Sequence, residues 1–239
     1  EYAYCACGED GVRIFDIAFI DDKAFAERIT TAPVSPIGQQ FYVKTKNARY
    51  VAAPVTTAPD PTRVHFPENR ETGTPISLVF AFIYVADAEE GLILINAATL
   101  LDGNPINNYL RKDVCFNPDN KLKGARFVEV VGNYAYVCCD AGLAVVDLSK
   151  LGEGKLEITK IVGEEEHIDK PKCVRVQHRY AYVVDEQGVK VLDVTDLAKP
   201  ETKSMLRIPH CHSIYLARTY GYLAAGPRGM VILDIKNPE

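Results

Sequence analysis

Residues 124–149 read GARFVEVVGNYAYVCCDAGLAVVDLS, and residues 173–196 read CVRVQHRYAYVVDEQGVKVLDVTD. Laid over one another, they share an aromatic-x-aromatic triplet (Tyr134-Ala135-Tyr136; Tyr180-Ala181-Tyr182), a glycine (Gly142; Gly188) and, five residues on, an aspartate (Asp147; Asp193). The triplet puts two rings on one face of a strand, because side chains alternate with period two. The glycine supplies the positive φ of a hairpin that turns this strand into the next. LAVV and VKVL, between glycine and acid, are too continuous for a half-exposed strand and predict one covered on both faces. The aspartate suits an Asx-turn that ends the strand.

Outward from these two copies, three more keep the same offsets. Their triplets are Tyr2-Ala3-Tyr4, Phe82-Ile83-Tyr84 and Tyr220-Gly221-Tyr222; their glycines are Gly11, Gly91 and Gly229. The closing residues are Asp16, Asn96 and Asp234, after VRIF, LILI and MVIL. Successive glycines lie 80, 51, 46 and 41 residues apart, and the gap of 80 is near twice the others. A degenerate copy is therefore expected over residues 31–76. Phe41-Tyr42-Val43 and Tyr50-Val51-Ala52-Ala53-Pro54 align there with Ile214-Tyr215-Leu216 and Tyr222-Leu223-Ala224-Ala225-Gly226. Seven of the 14 prolines fall between Pro33 and Pro75, which predicts irregular excursions in that copy. With that copy counted, the 218 residues from Gly11 to Gly229 make five intervals of about 44 residues, the size of a four-stranded propeller blade, and six units over one domain, 1–239. The predicted fold is all-β, a β-propeller or the larger part of one, with almost no helix.

These two quoted stretches resemble the LVIVD-repeat β-propellers. The resemblance covers most of the chain apart from roughly residues 31–76. It implies a secreted or cell-surface repeat protein, extracellular or periplasmic, often one module of a larger polypeptide. It brings no catalytic residues with it.

In a blade of this kind the strand nearest the axis is expected at Phe127–Val131, Val174–Gln177 and Ile214–Ala217, and the outermost at Ile158–Val162 and Met205–Ile208. Residue 1 falls at the start of a second strand and residue 239 just beyond a third. The first and last blades are thus expected to be incomplete, and to be covered by other polypeptide or a subunit interface. Left uncovered, they would expose Val12, Ile14, Val231 and Leu233.

Composition narrows the function. With 27 Lys+Arg against 32 Asp+Glu, net −5, nothing marks a nucleic-acid or membrane-surface partner. No apolar run is long enough for a membrane helix, and the opening residues do not read as a signal peptide. Cys5, Cys7, Cys115, Cys138, Cys139, Cys173 and Cys211 include no Cys-x-x-Cys or haem-attachment spacing, so most read as small buried hydrophobes. Cys5 and Cys7 share a face, without further ligands in view. No Ser-His-Asp, P-loop or dinucleotide fingerprint is legible.

One cluster carries charge in register. Eight residues before the first aromatic of successive copies stand Gln40, Thr74, Arg126, Lys172 and His212; two residues earlier stand Gly38, Thr72, Gly124, Lys170 and His210. In a propeller these positions ring one mouth of the axial channel. Arg126, Lys172 and His212, with Lys170 and His210, are expected to form a positive patch for a carboxylate, a phosphate or an acidic loop. His210 and His212 lie on one strand face, a weak alternative metal or haem-edge site needing further ligands. The Asp16, Asp147, Asp193, Asp234 series reads as structural turns, and Glu164-Glu165-Glu166-His167 as an exposed acidic loop. The leading expectation is a non-catalytic binding or scaffolding module with a protein partner or further domain, with a small anionic ligand as the other candidate, and no cofactor of its own. The alternative is the propeller domain of a secreted oxidoreductase or multihaem electron-transfer protein, with haem or metal held elsewhere.

Overall fold

A computed structural model describes residues 2–17, 42–54, 78–97 and 110–238. Among them there are five antiparallel sheets and no α-helix, only short 3-10 turns. The first sheet holds β1 (Tyr2–Ala6), β2 (Val12–Asp16) and β3 (Tyr42–Val43). The second holds β4 (Ala48–Ala52), β5 (Phe82–Asp87), β6 (Gly91–Asn96) and β7 (Lys112–Phe116). The third runs β8 (Phe127–Val131), β9 (Tyr134–Cys139), β10 (Gly142–Asp147) and β11 (Glu157–Val162). The fourth runs β12 (Cys173–Gln177), β13 (Tyr180–Val184), β14 (Gly188–Asp193) and β15 (Glu201–Arg207). The fifth has β16 (Ser213–Ala217), β17 (Tyr220–Ala224) and β18 (Met230–Asp234).

Every triplet begins the strand predicted for it, and every glycine stands at the head of the next. The inner strands β4, β8, β12 and β16 adjoin one another in chain order, as blades of a propeller do. Alternation then divides each sheet into two apolar faces. Val12 and Ile14 of the first sheet meet Ile83, Val85, Ile93 and Ile95 of the second. The opposite face of the second, Tyr84, Leu92 and Leu94, meets Val128, Val137, Ala144 and Val146 of the third. Leu143 and Val145 pack on the fourth sheet, and Val189 and Val191 belong to the same cluster as Ile214 and Leu223 of the fifth. Full burial of each such aliphatic side chain contributes about 1.5–3 kcal/mol, so the sheet-to-sheet layers carry most of the fold.

Two expectations change. Five sheets are described, not six: the strands expected to open a separate unit over 31–76 are shared out to its neighbours. Tyr42 and Val43 pair with Arg13 and Val12 as the outer strand of the first sheet, while Ala48–Ala52 is the inner strand of the second. Residues 31–41 and 55–76 of that unit lie outside the described residues, as do Gln40, Thr74, Gly38 and Thr72. The three-stranded first and last sheets agree with expectation, but the side chains that an uncovered end blade was expected to expose are not the exposed ones. Val12 and Ile14 are buried, and on β18 Met230 and Ile232 face outward rather than Val231 and Leu233.

Candidate functional site

The rim is built by one backbone bond used three times. The amides of Arg126, Lys172 and His212 donate to the carbonyls of Cys138, Val184 and Ala224, each two residues past the last aromatic of its triplet. These bonds place the backbones of the three residues at equivalent points of their repeats. The side chains stand at the end of the sheets where inner strands begin and the β9–β10 and β13–β14 turns lie.

Those turns bring what the sequence reading missed. Two residues beyond the acceptor carbonyls are Asp140 and Glu186, and each faces the cation of its own repeat. Arg126 forms an ion pair with Asp140 and donates from Nε to the Gly124 carbonyl at 3.0 Å. Lys172 pairs with Glu186 and donates across to the Cys211 carbonyl of the next repeat at 3.1 Å. His210 Nδ1 lies 3.1 Å from the same Glu186 carboxylate, and its amide donates to the Glu186 carbonyl at 3.2 Å. Hydrogen bonds from Lys172 first, then from His210, hold the Glu186 carboxyl below its ordinary range. The third repeat has Gly226 where the acid would stand, so His212 faces no carboxylate there. Arg126 is thus held in one ion pair, and Lys172 and His210 share another acid. Lys170, two residues before Lys172, is in a left-handed conformation, φ +43°. The acids carried a sequence signal: an acidic residue four positions after the last tyrosine in two adjacent copies.

A second polar cluster, also missed, ties the inner strands together. Arg175 on β12 pairs with Glu129 on β8, lies 5.1 Å over the Phe127 ring and reaches the Tyr50 hydroxyl of β4 at 3.3 Å. Tyr50 in turn stacks on Phe127, ring centroids 4.0 Å apart. Burial pushes the Glu129 carboxyl up, and Arg175 offsets that only in part. This cluster spans three repeats and reads as a tie between them.

Among the described residues no group of three or more His, Cys, Asp or Glu side chains is placed to hold a metal ion. Glu164, His167 and Asp169 line a polar hollow of about 250 Å³ with Ile168 and Gln187. The seven cysteines are all free thiols, four of them buried.

The LVIVD repeat family matches residues 124–153, 171–206 and 210–239, which hold β8 to β10 of the third sheet and the strands of the fourth and fifth. No curated protein matches the chain. Among solved structures it is similar to the computationally designed Ika8 protein, at 7% identity and a TM-score of 0.56, over 99% of this chain and 56% of that one. It is also similar to the extracellular domain of the putative one component system BT4673 from B. thetaiotaomicron, at 12% identity and a TM-score of 0.55, over 99% of this chain and 26% of that one. The chain thus spans about half the length of the first and a quarter of the second.

Proposed function

For a β-propeller chain that carries LVIVD repeats, we propose a non-catalytic binding or scaffolding role, in which the rim holds an acidic segment of a partner polypeptide. The observation that carries this reading is the repeated rim geometry. Arg126 and Lys172 occupy equivalent positions on rigid sheets, each half-buried and held by a carboxylate from its own turn. Side chains on turns above a rigid scaffold are well placed for recognition. An incoming carboxylate can replace Asp140 or Glu186 with little reorganisation, the guanidinium offering a planar fork and the ammonium a compact charge. A small anion of the same chemistry would use the same contacts. The family resemblance supports an extracellular or periplasmic setting, which fractionation of the source cells tests.

Titration with a hexaglutamate peptide tests the role of the rim. Binding is expected to weaken as salt rises from 0.05 to 0.5 M (about 14 to 4 Å of screening length). The double variant Arg126→Gln, Lys172→Gln should lose at least about fivefold in affinity while staying folded, the lost ion pairs and hydrogen bonds costing only about 1–3 kcal/mol. Equal binding by the folded double variant would remove the rim from the account.

A further inference from the structure

The turn leading to the repeat glycine carries acid in every sheet but the fifth. It holds Glu9 and Asp10 between β1 and β2, Glu89 and Glu90 between β5 and β6, Asp140 between β9 and β10, and Asp185 and Glu186 between β13 and β14. In the second, third and fourth sheets a cation of the same repeat holds a turn carboxylate: Lys112 holds Glu90 at 2.9 Å, Arg126 holds Asp140, and Lys172 holds Glu186. The turn between β17 and β18 reads Gly226-Pro227-Arg228. It has no acid, and Arg228 stands where the first two repeats have Asp10 and Glu90, one residue before the glycine.

The fifth repeat nonetheless keeps its own cationic side. The His212 amide donates to the Ala224 carbonyl at 2.9 Å, the bond that also sets Arg126 and Lys172. Its ring turns toward the turn: a Cβ on Gly226 would lie 3.7 Å from His212 Nε2. The Arg228 amide donates to the Ala225 carbonyl at 3.1 Å, which folds the turn tightly and keeps Arg228 close to Gly226. Burial pushes the Cys211 thiol up, and Lys172 and Arg228 act against it, so both cations are within electrostatic reach of the residue before His212. His212 and Arg228 are exposed, and among the described residues neither side chain has a hydrogen bond or ion pair. The acids of the neighbouring turn are engaged, Asp185 by Lys190 and Glu186 by Lys172 and His210. Because the acid facing Arg126 or Lys172 comes from that cation's own turn, what faces His212 is settled within residues 226–228 of the fifth repeat.

We propose that His212 and Arg228 form the primary seat of the rim for a carboxylate from a partner, the aspartate or glutamate side chain of an acidic segment. The third and fourth repeats show what kind of group fits, since a carboxylate fills the corresponding place beside Arg126 and beside Lys172. In the fifth repeat it comes from another molecule, and no internal acid has to be displaced to admit it. The Arg228 guanidinium can take both oxygens of a carboxylate, and His212 Nε2 can donate to one of them. The seat rests on the rim reading for its class of ligand and goes beyond it in saying where the first carboxylate lands. Arg126 and Lys172, each already holding an acid, take further carboxylates of the same segment.

The probes are hexaglutamate and the capped dipeptide acetyl-Glu-Glu-amide, titrated into the 239-residue protein while amide and histidine-ring NMR signals are followed. Both peptides should move the His212 ring signal saturably. The double variant His212→Gln, Arg228→Gln should bind each at least about fivefold more weakly while staying folded, since it loses charge-assisted hydrogen bonds at exposed side chains. Arg228→Glu, which gives this turn the acid of the second repeat, should lose at least about tenfold through like-charge repulsion and self-occupation of the seat. A His212 signal unmoved at saturating hexaglutamate, or parent-like binding by either folded variant, would overturn the seat. The Arg126→Gln, Lys172→Gln protein separates this proposal from the rim reading: it should hold the dipeptide within about twofold of the parent and lose affinity only for hexaglutamate. Weaker hexaglutamate binding in that protein, with none lost in the His212, Arg228 variant, would keep the rim and remove the seat. The reverse would keep the seat and remove carboxylate exchange at Asp140 and Glu186.

Discussion

Lys190 stands in the middle of the apolar run of β14, and its side chain is wholly buried. It is there because Asp185, equally buried, stands five residues before it and pairs with it. The Asp185 carboxylate also accepts the amides of Gln187 at 2.8 Å and Gly188 at 3.2 Å, so it fixes the turn as well as the lysine. Removing one partner of such a pair strands the other charge in the interior. Lys190→Met should therefore cost about 3–5 kcal/mol in urea denaturation, and adding Asp185→Asn should recover most of it, since the amide oxygen still accepts the turn. A Lys190→Met protein as stable as the parent would contradict this. The pair was not legible in the sequence. The repeat places Lys190 level with Ile93, Ala144 and Val231, and Asp185 level with Asp87, Cys139 and Ala225, but only the fourth copy holds both partners. Asp87 meets the same burial differently, by accepting the amides of Asn47, Glu89 and Glu90.

At the scale of the element, the repeat glycine decides whether an outer strand can approach. Gly188→Ala would add both backbone strain and a collision with the Leu206 carbonyl of β15, whereas Gly229→Ala adds strain alone. The first should destabilise by about 3 kcal/mol or more and the second by about 1–2 kcal/mol in the isolated chain. Equal losses in denaturant titrations would mean that strand proximity is not what the glycine serves. Strands and their turns were readable because period-two alternation and the glycine offsets are local signals. What alternation cannot specify is which neighbour a strand pairs with. Tyr42-Val43 and Ala48–Ala52 were recognisable as strands, yet one joins a sheet begun at Tyr2 and the other a sheet completed at Phe116. The same limit explains β18, where the continuous run MVIL gives no sign of which phase faces the fourth sheet.

At the scale of the molecule, contacts between repeats give the sheets their order. Tyr50, Phe127, Glu129 and Arg175 come from three inner strands and meet in one cluster, and Lys172 reaches from the fourth repeat to the Cys211 carbonyl leading into the fifth. The positions of Arg126, Lys172 and His212 were legible because they keep register with the repeat. The carboxylates facing Arg126 and Lys172 left only the weak signal of an acid at one offset in two copies, and the inner-strand cluster left none, because Glu129 and Arg175 hold the same repeat position with opposite charge. The propeller arrangement underlies the rim, and a crystal structure of the chain tests it most directly. The account predicts β4, β8, β12 and β16 side by side in chain order, with the Arg175 guanidinium between the Glu129 carboxylate and the Tyr50 hydroxyl. Sheets stacked face to face as a sandwich, or inner strands in any other order, would contradict it.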